Sequence, residues 1–334
     1  MAIRNFMVAS LLFCAACTGA ETAIKTAPTP VDPGPKQIAL TYDDAPLGDG
    51  PIYTGTERTQ AFIEQLDAAG SGPVAIFVTT RGLDQADGQT RIQAYADAGH
   101  RIANHSDQHI WASRTDIEAY IADIDAAERK LEGFDHRRPW FRFPFLDEGG
   151  MGEDNKDAVR RDAYRAALDA RGLISGYVTV DTFDWHLDRL WSRAVQNGDR
   201  VDQAALSRVY VDMVVDAAAH YDALGQQVLG RRPVQVLLLH ENDLAARFTA
   251  DVIRALRADG WEIVDPDLAF ADQIAAQIPE TRFSGMGRIS ALAADAGLWE
   301  RGVIDHWSAS EQGIDDKVAD YGAFVSDASE NMTE

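Results

Sequence analysis

Cysteine is almost missing from this chain. There are two in 334 residues, Cys14 and Cys17. Both precede position 18, so the folded part has no disulfide and no thiol nucleophile. Basic charge is scarce too. Lys and Arg number 31 against 53 Asp and Glu, a formal net charge of −22. A nucleic-acid binder needs a basic face, so nucleic acid is excluded as a partner. The surplus reads as a soluble acidic surface, or as attraction to cationic polymers. After the N-terminus no stretch is long and apolar enough for a membrane helix, and none is expected in the mature protein. No internal repeat is visible. Apolar residues make up 46% of the sequence, enough for a sizeable core in one large domain or one domain with appendages.

The N-terminus reads as an export signal. Arg4 is a positive start, and residues 6–16 are apolar but too short to span a bilayer. Ala15-Ala16-Cys17 resembles a bacterial lipoprotein cleavage site, with Cys17 as the acylated residue, although Cys14 stands where leucine is usual. This predicts a lipoprotein in the cell envelope facing the periplasm; ordinary secretory cleavage, giving a soluble periplasmic or secreted protein, is the alternative. Residues 18–36, rich in Ala, Thr and Pro, read as a linker.

From residue 37 strands and helices alternate. Strands are expected at 37–41, 74–79, 101–104, 140–143, 174–180, 234–239 and 261–264. Helices are expected at 57–69, 90–98, 115–131, 155–171, 202–224, 244–259 and 270–278. Such alternation means an α/β fold with parallel strands. A closed or nearly closed barrel suits the length better than an open sheet, but spacing alone leaves a doubly wound sheet open. Residues 37–278 would form the main domain and 279–334 an extension, with a short helix at 289–298 and a weakly ordered tail after Gln312.

Five motifs end these strands or open the turns after them: Thr41-Tyr42-Asp43-Asp44, His105-Ser106-Asp107-Gln108-His109, Arg142-Phe143-Pro144-Phe145, Asp181-Thr182-Phe183-Asp184-Trp185 and Leu237-Leu238-Leu239-His240. A barrel gathers strand ends into one site. Two adjacent carboxylates can divide labour, one on a metal and one moving protons, though Asp-Asp before Ala-Pro is also good turn chemistry. His105 and His109 on one helical turn would share a face, and with Asp44 would make a two-His, one-carboxylate metal set. Arg142, if buried, needs a carboxylate, and Asp43 is the natural partner. Asp184-Trp185 can orient an imidazole and wall a pocket, or be a turn aspartate beside a core tryptophan. His240 ends the most apolar strand; polar Glu241-Asn242-Asp243 follow it. From these residues alone the expectation is a metal-assisted hydrolase of an amide or ester.

Together the motifs, with Gly99–Ser106 around the second, resemble the polysaccharide deacetylase (NodB-homology) family, carbohydrate esterase family four, over residues 36–275. The resemblance implies a distorted (β/α) barrel of about seven strands. It implies that Asp44, His105 and His109 bind a divalent metal, usually Zn2+, and that Asp43 is the general base and His240 the general acid. Arg142 would hold Asp43 and Asp184 would tune His240. The Phe145 N–H would help bind the oxyanion, while Trp185 and Leu238 would cradle the acetyl methyl. An acetylated glycan is the implied substrate, with N- and O-acetyl groups not distinguished. A hydrolase of a non-sugar amide and an inactive glycan-binding envelope protein are the other readings. Ala45 and Leu146 stand where the family commonly has glycine, which bears on specificity more than on chemistry. The segments 47–56 and 147–154 are candidate groove walls.

Overall fold

In the computed structural model, which describes residues 34–150, 156–298 and 303–325, the elements follow the expected alternation. The strands are β1 (Gln37–Ala45), β2 (Ala75–Val78), β3 (Arg101–Asn104), β4 (Arg137–Phe141), β5 (Ile174–Ser175), β6 (Arg200–Val201), β7 (Gln235–His240), β8 (Glu262–Ile263) and β9 (Phe324–Val325). The helices are α1 (Gly55–Ala68), α2 (Gly88–Asp97), α3 (Ile117–Lys130), α4 (Ala158–Ala170), α5 (Asp184–Asn197), α6 (Gln203–Leu229), α7 (Asp243–Ala258), α8 (Pro266–Phe270), α9 (Arg288–Asp295) and α10 (Glu311–Tyr321).

The main sheet has the order β5-β4-β3-β2-β1-β7, with β8 added on β1, and every pairing in it is parallel. Residues 174–180 join its two edges. Gly176 N–H donates to the Phe141 carbonyl of β4 (2.7 Å), while Val180 pairs in parallel with Leu237 of β7. The single strand expected at 174–180 is therefore split. Its first residues extend one edge and its last residues meet the other, curling the sheet into the distorted barrel. The doubly wound alternative is not what forms.

Local chemistry explains the helix starts. Thr54 and Glu57 form a capping box on α1, and Asp116, Asp157, Asp202 and Asn242 accept first-turn N–H groups of α3, α4, α6 and α7. Inward faces of these helices cover the sheet. Val236, Leu237 and Leu239 of β7 are fully buried, as a central parallel strand requires. A second apolar cluster, with Tyr120, Phe141, Phe143 and Tyr164, lies under α3 and α4.

Three expectations need correcting. The helix expected at 270–278 is replaced by α8, because Asp265 caps it and Pro266 suits its first position, followed by a 3-10 turn at Gln273–Ala276. The stretch after Trp185, given no element above, is α5. The tail after Gln312 is ordered through Val325: α10 follows the cap Ser310, Ile314 is fully buried, and β9 pairs antiparallel with β6. The export segment, Cys17 and most of the linker lie outside the described residues, as do 151–154 of the second candidate wall. Among the described residues no helix is long and apolar enough to cross a membrane.

Candidate active site and metal centre

Parallel strands bring their carboxyl ends to one rim. In register, Asp43 of β1 faces His240 of β7, so the expected base and acid sit on adjacent strands. Arg142 follows β4 and donates its N–H to the Asn104 carbonyl at the end of β3 (3.0 Å).

Strand alternation would send Asp43 and Asp44 to opposite sides. Asp44 escapes this by a left-handed backbone (φ 70°), where β1 also shifts register against β2. His105 and His109 do not sit on a helical turn as expected. They belong to a loop in which Ser106 (φ 70°) and His109 (φ 54°) are left-handed, and Ser106 Oγ accepts the His109 N–H (2.9 Å). Phe145 (φ 60°) and Leu146 (φ 51°) share this conformation. Among the described residues five of the six left-handed non-glycine residues thus lie in or beside the motifs. Each costs about 1–3 kcal/mol, which the surrounding packing must hold.

The base side is built around Arg142, which is buried. Its Nη1 donates to Asp43 Oδ1 (2.6 Å) and Thr41 Oγ1 (2.9 Å), its Nε to the Gly176 carbonyl (2.6 Å), and its plane lies 3.8 Å from the Phe77 ring centre. The segment that curls the barrel therefore also fixes the arginine. On the acid side, Asp184 Oδ1 lies 2.6 Å from His240 Nδ1, and Asp184 Oδ2 accepts the His240 N–H (2.9 Å) and Asn242 Nδ2 (3.0 Å). Burial alone would pull the His240 imidazole down. The Asp184 charge and hydrogen bond, with Asp44 and Asp43 beyond, overcome it and raise the pKa to about 10.

Beside Asp43 lie Asp44, His105 and His109, with one ligand atom of each within 4.8 Å of the others; among the described residues they are the one group of this kind. Asp44 Oδ1 is buried without a hydrogen-bond partner, 3.0 Å from His109 Nε2 and 3.5 Å from His105 Nε2. His105 Nδ1 meets the Arg142 carbonyl (2.9 Å), which must accept, so the proton sits on Nδ1 and Nε2 keeps its lone pair. Burial above all pushes the His105 pKa down to about 4, Asp43 and Asp44 opposing, so the ring is neutral at pH 7, as a ligand must be. For Asp44 burial pushes the other way, but His109, His240 and His105 hold its carboxyl well below the usual range. A divalent cation fits: two imidazole nitrogens and an otherwise orphaned carboxylate oxygen converge, leaving further positions open.

These residues border a cavity of about 480 Å³, the size of a small-ligand site. Phe145, Trp185 and Leu238 all line it, as do Phe143 and Phe183. Two further wall residues carried no expectation. Trp111 stacks on Phe145 (3.8 Å, 6° between planes), its one signal being an aromatic two places after His109. Asp181, which opens the fourth motif, has its carboxyl raised to about 7 by burial, His240 and Arg142 opposing. The segment 47–56 is tethered by buried charge: Glu241 accepts from Arg91 (3.0 Å), Tyr95 (2.8 Å) and the Leu47 N–H (2.8 Å), while Arg58 holds Asp243 (2.7 Å) and the Gly48 carbonyl (2.8 Å). The C-terminal extension reaches the site from the other side. The Ser308 carbonyl accepts the Phe183 N–H (2.7 Å), and Ser308 Oγ donates to the Asp181 carbonyl (3.3 Å).

A family model described as polysaccharide deacetylase matches residues 31–167. Among solved structures the chain is similar to a family 4 carbohydrate esterase from Streptomyces lividans in complex with acetate (19% identity, 70% of this chain and 95% of that one, TM-score 0.43). It is also similar to a peptidoglycan deacetylase from Bacillus subtilis (18%, 71% and 91%, 0.44) and to the chitin deacetylase of the fungal pathogen Colletotrichum lindemuthianum (16%, 71% and 88%, 0.47). No curated protein matches the sequence. The resemblance is borne out over residues 31–167, which carry the first three motifs and match a family model described as polysaccharide deacetylase.

Proposed function

We propose that this protein is an exported, metal-dependent deacetylase that hydrolyses acetyl groups on a glycan and releases acetate. One observation carries the reading. Asp43 and His240 are register partners on adjacent strands and line a single cavity with Asp44, His105 and His109. A base on one face of an acyl group and an acid beside its leaving atom are what amide or ester hydrolysis requires.

Asp44, His105 and His109 would hold the cation, most naturally Zn2+ for two imidazoles and a carboxylate. A cation there supplies Lewis acidity toward the acyl oxygen and makes a nearby water more acidic. Asp43 takes a proton from the attacking water as its oxygen bonds the acyl carbon. Arg142 fixes that carboxylate and balances its charge. His240, protonated at neutral pH, gives its proton to the leaving nitrogen or oxygen as the bond to the acyl carbon breaks. Asp184 holds the imidazolium at Nδ1, leaving Nε2 as the donor. The Phe145 N–H is assigned to the oxyanion, while Trp185 and Leu238 form the slot for the acetyl methyl. Residues 37–278 are assigned as the catalytic domain, with export directed by residues 1–17 and a lipid anchor at Cys17.

The test is acetate release from chitin oligomers, peptidoglycan and acetylxylan by residues 36–334, with zinc and with chelator. Chelator-sensitive release from any of them supports the proposal and begins to name the substrate. A cation-loaded protein that releases nothing returns the assignment to a non-sugar amide or to an inactive binding role.

A further inference from the structure

A second, smaller hollow of about 130 Å³ shares Asp44 and His109 with the main cavity. The remaining wall comes from the turns after β1 and β2: Pro46, Leu47, Gly48, Thr79, Arg81, Gly82 and Gln85. Its shape is built into the backbone. A Cβ on Gly82 would lie 2.8 Å from Pro46 Cδ and 2.9 Å from the Pro46 carbonyl oxygen, so only glycine lets the two turns meet.

One of its buried polar groups has no partner, and an exposed arginine stands at its mouth. Thr79 is 5% exposed, and its Oγ1 is buried without a hydrogen-bond partner, although its N–H is used by the Ala45 carbonyl (2.9 Å). A buried hydroxyl left unpaired costs about 1–3 kcal/mol and calls for an explanation. Arg81, at the mouth, makes one side-chain hydrogen bond among the described residues, to the Gln108 carbonyl (3.2 Å), and no carboxylate pairs with it. Gln85 contributes an amide whose nitrogen donates to the Pro46 carbonyl (3.3 Å).

We propose that this hollow is a subsite for a carboxylate carried by the substrate beside its acetylated group. The substrate class is then an acidic glycan in which an N-acetyl sugar adjoins a carboxylate-bearing one. A planar guanidinium fork matches a carboxylate, and a lone Arg beside an uncharged hydroxyl suits a monoanion. A phosphoryl group would call for a second cation, and none lines the hollow. Asp44 is the one anion on its wall, and a cation held by it with His105 and His109 would offset its charge. Because Asp44 and His109 border both spaces, the occupant belongs to the same molecule that is being hydrolysed. This inference rests on the deacetylase reading.

The experiment compares three probes: peptidoglycan glycan oligomers bearing lactyl carboxylates, the same oligomers with those carboxylates reduced to alcohols, and neutral chitin oligomers. The wild-type protein is expected to show a lower KM for the first than for the second. Arg81→Met should remove that difference by raising KM for the carboxylated oligomer about tenfold, the worth of one charge-assisted hydrogen bond, with kcat kept. It should leave the neutral oligomers alone. Thr79→Val should raise the same KM less. Equal KM for native and reduced oligomers overturns the subsite, as does an Arg81→Met defect common to all three probes. Calorimetric binding of the probes separates the two proposals. If the wild-type protein releases no acetate, the activity is wrong, and tighter binding of the carboxylated oligomer, lost in Arg81→Met, still decides the subsite.

Discussion

Asp184 is a fully buried carboxylate whose partners are the His240 ring and backbone and the Asn242 amide. That places the proton balance of the ring in its hands. The raised His240 pKa, about 10, means that the ring is protonated below that value and loses its proton as pH rises through it. A deacetylase using it as acid keeps activity into alkaline solution. Asp184→Asn keeps the shape and removes the charge, so the alkaline limb of the kcat profile should move toward lower pH; an unmoved limb would show that His240 is not the acid. Arg142 tests the other side. Arg142→Met leaves Asp43 buried and unpaired, which should cost about 3–5 kcal/mol in denaturant unfolding, and adding Asp43→Asn should restore part of it. Much of this was legible because each residue is a charged or ligating side chain directly after an apolar strand, a position with few structural uses. Trp111 and Asp181 were not assigned a place, since an aromatic or an aspartate in a loop is ordinary. Which residues wall a cavity is decided by loops that meet only in three dimensions. The backbone of the His105–His109 loop was misread for a related reason: spacing of four fits one helical turn, and nothing in the letters marks two left-handed residues.

Among the elements, helices with a cap and a clear stripe were found within a few residues. α3 was expected at 115–131 and runs over Ile117–Lys130, capped by Asp116. The misses share a cause. β5 and the Val180 bridge came from one apolar run that looked like a single strand, and only the curl of the sheet divides it. α5 begins inside the fourth motif, so its first turn was read as chemistry rather than as helix. α10 lies in an acidic stretch with little apolar pattern, and Ile314 is its one fully buried side chain. That helix belongs to a strap. His186 of α5 lies 2.8 Å from Asp315 of α10, and Ser308 holds the Phe183 amide just before Asp184. Ile314→Ala should therefore destabilise the strap by about 2–5 kcal/mol, the usual cost of emptying such a site. It should also speed hydrogen exchange at the Phe183 N–H. A thermal loss with that amide still fully protected would mean that the strap does not support the cavity wall.

At the scale of the whole molecule the acidic balance and the empty-handed Asp44 oxygen point the same way. A net charge of −22 raises the local concentration of cations around the protein and makes its own compaction more costly. At the rim of the barrel, four parallel strand ends, those of β1, β3, β4 and β7, converge on one small volume holding Asp43, Asp44, His105, His109 and His240. Bringing them together is work done by the fold, because strands far apart in sequence, such as β1 and β7, become neighbours only in the folded sheet. A divalent cation that binds this arrangement and not the unfolded chain stabilises the folded state by about 2.7 kcal/mol at a hundred times its Kd. For a domain of this size that is a rise in Tm of about 4–5 °C. Zinc should produce the rise in the wild-type protein, chelator should reverse it, and His105→Ala should abolish it. Magnesium should do less, since imidazole ligands suit it poorly. The sign also separates specific binding from screening. Screening of the acidic surface would follow ionic strength, appear equally with His105→Ala, and not distinguish zinc from magnesium. A rise in Tm shared by both metals and by the variant would leave the surface charge as its cause and remove the metal centre from the account of this barrel.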